Sequence, residues 1–229
     1  MQNQLLSSIF NLVAQYKRSY ALGLGLVLLC GNALAESIKV VDQFGKPVEN
    51  VVVSFYLDAP SDLDTNNVAI MDQINIQFSP EVLVVQKNQS VAFPNSDNTR
   101  HHIYSFSQAK PFEIKMFRGG ESKQLTFEQP GIVVLGCNIH DQMIGYIYVA
   151  DNANTSLTDA QGIAKVPKGG IDIKLWHPKL STNKMFRQDM QLPEKLTEQP
   201  YPIVVNLIED IITPTQPTFK SKKFNRGNE

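Results

Sequence analysis

The run Cys137-Asn138-Ile139-His140-Asp141-Gln142-Met143 sets a thiol, an imidazole and a thioether within seven residues. Ile132 to Leu135 lies just before it and Ile144 to Val149 just after, both rich in β-branched and aromatic residues, so the ligating side chains belong to a loop between two strands. Soft sulfur donors beside imidazole favour copper over magnesium or calcium. Two His with one Cys and a weak axial Met form the set associated with electron transfer at a single copper ion. The loop lacks only a second histidine, which His101 or His102, on an upstream strand-like run, can supply.

Strands are also expected at Ile38 to Val41, Val51 to Leu57, Ile74 to Phe78, Val82 to Gln86, Ser90 to Phe93 and Ile103 to Phe106, short runs punctuated by Gly, Pro, Asn and Asp. Short strands at this spacing build sandwiches or barrels, so the fold class is all-β. Phe112 to Phe117 fits either a strand or a helical turn. Helical periodicity is weak beyond the N-terminus, and neither an internal repeat nor a low-complexity tract is present.

Residues 1–35 are of another kind. Lys17 and Arg18 precede an apolar run from Ala21 to Cys30, followed by the small-x-small pattern Ala33-Leu34-Ala35. This is the pattern of an export signal cut after Ala35, because an apolar core of about ten residues is short for a span that needs roughly 20. Cys30 leaves with the signal, so Cys137 becomes the only thiol of the mature chain. An unpaired thiol in an oxidising compartment is a liability unless it is buried or bound to metal. Lys17 and Arg18 leave too, so 21 basic residues become 19 against 22 acidic ones, a net charge of about −3. That balance gives no sign of a nucleic-acid partner. No later apolar run is long enough to span a bilayer, and the expected product is a soluble periplasmic protein.

The two flanks carry a second pattern. Asp42-Gln43-Phe44-Gly45-Lys46-Pro47-Val48 turns into Val51-Val52-Val53-Ser54-Phe55. Later, Thr158-Asp159-Ala160-Gln161-Gly162 and Val166-Pro167-Lys168-Gly169-Gly170 make turns before the alternating Ile171-Asp172-Ile173-Lys174-Leu175-Trp176. These segments resemble the opening and later parts of a carboxypeptidase regulatory-like β-sandwich. The organisation expected is a sandwich split between residues 36–60 and 151–209, with a domain at 65–150 inserted into it, which surface loops with neighbouring ends tolerate. Two consecutive β-domains with a short leading hairpin are the alternative. Residues 210–229, with Lys220, Lys222, Lys223 and Arg226 among polar residues, are expected to be a disordered tail.

Between the flanks, Ile74-Asn75-Ile76-Gln77-Phe78-Ser79-Pro80 is followed by Val91-Ala92-Phe93-Pro94-Asn95-Ser96-Asp97 and Arg100-His101-His102-Ile103-Tyr104-Ser105. Phe127-Glu128-Gln129-Pro130-Gly131 then precedes the ligand loop, and Gly145-Tyr146-Ile147-Tyr148-Val149 follows it. This segment resembles the plastocyanin and pseudoazurin branch of the cupredoxins, which are Greek-key β-sandwiches. The Cys-x₂-His-x₂-Met spacing is similar to that of amicyanin, and the whole chain resembles periplasmic proteins labelled methylamine-utilisation or plastocyanin-like. The resemblance implies one type 1 copper per chain, held by His101, Cys137, His140 and Met143. It also implies a redox protein as partner, such as a cytochrome or a periplasmic dehydrogenase. The family strand reads His-Asn-Val, which puts His101 on the metal and His102 where an Asn amide would brace the ligand loop. Two departures follow: an imidazole stands at the bracing position, and Ile139 and Asp141 flank His140 where amicyanin carries prolines.

Each of these residues also has a plainer use. A lone Cys near Met and Ile ordinarily packs a core, and a lone histidine is ordinarily structural. Here the Cys-x₂-His-x₂-Met loop coincides with an upstream His-His after an Asn-x-Asp turn, a β context and an export signal, which favours copper. His177, in Trp176-His177-Pro178, is expected to be structural, and Trp176 to lie in the core. A binuclear copper centre needs two loop cysteines, and a multicopper oxidase needs more than the four histidines present. Zinc accepts two His and a Cys but makes no use of the His-x₂-Met continuation. No Gly-x-Ser-x-Gly elbow or His-Glu-x₂-His helix occurs, so an enzyme is not expected. Two functions stand. One is an electron carrier whose electrons leave by the edge of His140 between Ile139 and Ile144; the other is a copper-sequestering or structural binding module without a redox role.

Overall fold

The computed structural model describes residues 36–57, 65–151, 154–167 and 169–209, and every regular element in them is a strand. The signal expected over 1–35 and the tail expected over 210–229 lie outside the described residues. The leading flank supplies β1 (Ser37–Asp42) and β2 (Val52–Tyr56). The middle supplies β3 (Ala69–Ile70), β4 (Asp72–Ile74), β5 (Gln77–Ser79), β6 (Val82–Gln86), β7 (Gln89–Pro94), β8 (His101–Ser105), β9 (Phe112–Phe117), β10 (Ser122–Phe127), β11 (Gly131–Cys137) and β12 (His140–Ala150). The trailing flank adds β13 (Thr155–Leu157), β14 (Ile163–Lys165), β15 (Asp172–Trp176), β16 (Gln188–Gln191) and β17 (Tyr201–Val205). No helix among the described residues is long and apolar enough to cross a membrane.

Middle strands form one sheet in the order β6-β12-β11-β8-β9 and another in the order β10-β7-β3. Side chains alternate along a strand, so Val91 and Phe93 of β7 turn to the same side as each other, as do Val133, Leu135 and Cys137 of β11. These meet Ile103, Phe127 and Ile147 in one buried apolar cluster that both sheets share. Full burial of each such side chain contributes about 1.5–3 kcal/mol.

The flanks pair with each other directly. β1 runs parallel to β17, from Ile38↔Tyr201 to Asp42↔Val205, and antiparallel to β14. β2 lies between β13 and β15, in a sheet that β16 completes. Ile38, Val40, Val53, Phe55, Ile173, Leu175 and Ile203 make their common core. Thr158 ties the flanks again: its buried hydroxyl donates to Val48 O at 2.7 Å and accepts from Val51 N–H at 2.9 Å.

A third cluster joins the two groups of sheets. Val82, Ile132, Tyr146 and Tyr148 from the middle pack with Val52 and Trp176 from the flanks. The Trp176 ring lies 5.7 Å from Tyr146 and 5.8 Å from Tyr148, and its Nε1–H donates to Lys184 O at 2.8 Å. This seam explains why Gly145 to Ala150 of β12 are buried without alternation. Ile147 and Val149 face the inner core, while Tyr146, Tyr148 and Ala150 face the seam.

One expected strand takes a different form. Ile74 to Phe78 is a hairpin rather than a single strand: β4 and β5 pair as Asp72↔Ser79, Gln73↔Phe78 and Ile74↔Gln77 around a turn at Asn75-Ile76. Both turn residues are left-handed, with φ of 54° and 60°. Asn tolerates that region, whereas Ile does not on local grounds, and a carboxylate from another loop binds both amides. Phe112 to Phe117, open between strand and helical turn, is the strand β9.

Candidate metal centre

β11 and β12 form a hairpin around Asn138-Ile139 in which Cys137 faces His140. The next pair is Gly136↔Ile144, so Asp141, Gln142 and Met143 bulge from the β12 side of the ladder. The bulge has a chemical consequence. Residues three apart on a regular strand point to opposite faces, and the extra residues allow Met143 to be buried while His140 still faces Cys137. β8 runs beside β11 through Gly136↔Tyr104 and Cys137↔Ile103, which carries His101 to the same end of the sheet.

The ligating atoms of His101, Cys137 and His140 all lie within 4.8 Å of one another. Cys137 is a buried free thiol, its Sγ 3.8 Å from His101 Nδ1 and 3.6 Å from His140 Nδ1. The two imidazoles meet edge to face with centroids 5.0 Å apart. A metal–sulfur bond of about 2.3 Å and a metal–nitrogen bond of about 2.0–2.1 Å, meeting at a tetrahedral to trigonal angle, span roughly 3.6–3.8 Å. The spacings therefore suit three donors around one ion. Met143 is buried in the same apolar cluster as Cys137. His140 is only partly covered, and Ile139 and Ile144 beside it are 43% and 47% exposed.

The neighbouring histidines differ completely. His101 is fully buried and faces the thiol with Nδ1. His102 turns to the other side of β8, where its Nε2 lies 2.8 Å from Glu113 Oε1 and its ring centroid 6.0 Å from Tyr104. Its imidazole is thus engaged with β9 rather than with the ligand loop. His177 takes no part in the cluster. Its Nδ1 accepts from Lys179 N–H at 3.2 Å, and burial, with the charges of Lys179 and Lys184, pushes its pKa down to about 4.

Sequence reasoning missed Asp97. Its Oδ2 lies 2.7 Å from His101 Nε2, and a carboxylate acceptor there requires that nitrogen to carry the proton. Oδ1 accepts from Asn75 N–H at 2.6 Å and Oδ2 from Ile76 N–H at 2.9 Å. Burial alone would push the Asp97 pKa up, but hydrogen bonds from Ile76, His101 and Asn75 together hold it below the usual carboxylate range. The available signal was an acidic residue four positions before His101, in the Asn-x-Asp turn.

No family model and no curated sequence matches this chain. Among solved structures it is similar to a purple cupredoxin from Nitrosopumilus maritimus, at 22% identity and a TM-score of 0.33 over 36% of this chain and 99% of that one. It is similar to a reduced Cu(I) form of an amicyanin variant, at 17% identity and a TM-score of 0.35 over 43% of this chain and 98% of that one. A Cu-containing nitrite reductase from Thermus scotoductus SA-01 is similar at 23% identity and a TM-score of 0.36, over 50% of this chain and 28% of that one.

Proposed function

We propose that residues 65–150 form a cupredoxin-type domain that holds one type 1 copper ion through His101, Cys137, His140 and Met143, and that the chain carries single electrons between redox partners. The observation that carries this reading is the buried, unpaired Cys137 thiol grouped with two imidazole nitrogens at metal-ligand spacing. A copper ion there supplies a one-electron couple between Cu(II) and Cu(I). The protein's own part is to fix the donors. Cys137 and His101 enter from adjacent, hydrogen-bonded strands of one sheet, and Met143 is anchored in the same buried apolar cluster as Cys137. Donors held by packed strands resist rearrangement when the oxidation state changes, which keeps electron transfer fast.

His140 is the member of the set at the surface, and the apolar side chains of Ile139 and Ile144 beside it suit brief docking. Redox encounters use small, weak interfaces, and the partner in this reading is a cytochrome or a periplasmic dehydrogenase. The chain acts as a carrier rather than an enzyme, exported to the periplasm with residues 1–35 removed. The flanks at 36–60 and 151–209 act as one split sandwich that positions the inserted domain. The β1–β17 pairing and the Thr158 bridge support that arrangement.

The test is the visible and electron paramagnetic resonance spectrum of the mature chain after Cu(II) addition, followed by reduction and reoxidation. An intense thiolate charge-transfer band that bleaches, returns, and is lost in Cys137→Ala is the expected result. A colourless protein with only an ordinary cupric signal would overturn the carrier reading and favour copper sequestration or a structural binding role.

A further inference from the structure

Asp97 sits where three hydrogen-bond donors converge: Asn75 N–H, Ile76 N–H and His101 Nε2–H. The two amides come from a turn in which a β-branched residue is held at φ 60°, a conformation that L side chains of this shape rarely adopt. Local preference therefore does not choose Ile76 for this turn. What the turn gains is a pair of successive amides aimed at one anion. Asp97 fills that concavity, and its main chain is fixed from the other direction. Its N–H donates to the buried Asn95 Oδ1 at 3.0 Å, and a Cβ placed on Gly119 would collide with its carbonyl oxygen. The carboxylate is thus immobilised before it meets His101, at 2.7 Å from a ring nitrogen that solvent does not reach.

We propose that Asp97 is a positioning residue for the metal centre, held in place by the β4–β5 hairpin, and that it lowers the reduction potential of the site. This rests on the copper reading above. By accepting Nε2–H, Asp97 fixes the tautomer in which the Nδ1 lone pair of His101 faces Cys137. By adding negative charge to the ring's far side it strengthens the imidazole as a donor, which favours the more highly charged Cu(II) over Cu(I). Through this contact the hairpin reaches a ligand by hydrogen bonds: Asn75 and Ile76 hold Asp97, and Asp97 holds His101.

Three proteins test this: the wild type, Asp97→Asn, and Glu113→Gln. The last removes one carboxylate charge from His102 on the opposite side of β8. In Asp97→Asn the charge-transfer band persists, while Cu(II) affinity falls by about 10–100-fold. Cu(I) affinity falls less, and each tenfold difference raises the potential by about 59 mV. Glu113→Gln moves the potential much less. In the copper-free wild type, ring-nitrogen NMR at neutral pH places the His101 proton on Nε2. In copper-free Asp97→Asn the same measurement shows a mixture of tautomers. An unchanged or lowered potential in Asp97→Asn, an equal rise in Glu113→Gln, or a wild-type proton on Nδ1 would overturn the proposal. A wild type that binds copper without the thiolate band would instead sink the carrier reading and leave the NMR result to decide the brace. The same NMR result decides it if Asp97→Asn does not fold.

Discussion

Acid is expected to weaken the trailing flank through one side chain, His177. Its Nδ1 accepts Lys179 N–H, a role open only to the neutral ring, and burial, with the charges of Lys179 and Lys184, lowers its pKa from 6.5 to about 4. In the unfolded chain the same histidine takes up a proton near pH 6.5, so between there and about pH 4 the unfolded state binds more protons than the folded one. The stability that His177 contributes is therefore complete above about pH 6.5 and is lost as the pH falls towards 4. A gap of about 2.5 units at 1.36 kcal/mol each gives about 3 kcal/mol, and solvent screening of a partly covered ring leaves about 2. Carboxylates titrate in the same range, so the readout is a difference. Urea denaturation of the copper-free wild type and of His177→Asn is compared at about pH 7.5 and 4.5. The Asn Oδ1 can accept from Lys179 N–H without binding a proton. The wild type should lose about 2 kcal/mol more than the variant over this span. Equal losses would refute the neutral-acceptor account.

Thr158→Val keeps the shape but strips partners from Val48 O and Val51 N–H, which should cost about 2–4 kcal/mol by denaturation. A loss below about 0.5 kcal/mol would show that the bridge between the flanks is not needed. Gly145→Ala would place a Cβ 2.7 Å from the Phe78 Cβ, and relief of that overlap should cost about 1–3 kcal/mol. Phe78→Gly in the same chain, which removes that Cβ together with the ring, should cancel most of that increment in a double-mutant cycle; full additivity would mean the two sites do not touch. Trp176→Ala should remove about 3–5 kcal/mol and lower the melting of both the backbone signal and the thiolate band together. A thiolate band that melts at its original temperature would show that the seam does not support the sheet that carries His101 and Cys137.

Much of the strand pattern was legible because the relevant runs are short and rich in β-branched residues, as in Val82 to Gln86 and Ile132 to Leu135, and some bury them with a period of two, as Ile38 and Val40 of β1 do. β10, Ser122–Phe127, was not, because its first three residues are exposed and polar and the sheet needs from them only backbone pairing to β7. The hairpin at Asn75-Ile76 was hidden for a different reason. Ile76 reads as a strand residue, and its left-handed backbone depends on Asp97, which is 21 positions away in sequence. At the candidate metal centre, the spacing of the proposed donors within the loop was visible, since Cys137, His140 and Met143 lie on one hairpin and its bulge. The choice between His101 and His102 needed only strand alternation once the direction of β8 was known. Of the partners of their far nitrogens, Asp97 lies only four positions before His101 yet reads as an ordinary turn residue, and Glu113 is brought to His102 by the pairing of β8 with β9.

The aromatic seam also limits how the molecule can be taken apart. A fragment trimmed to residues 65–150 would lose Val52 and Trp176, leaving Val82, Ile132, Tyr146 and Tyr148 on one face of its sheet without their cover. Such a face invites self-association. Anyone borrowing the portion with the candidate metal centre as a detachable module would first have to redecorate those four positions with polar side chains.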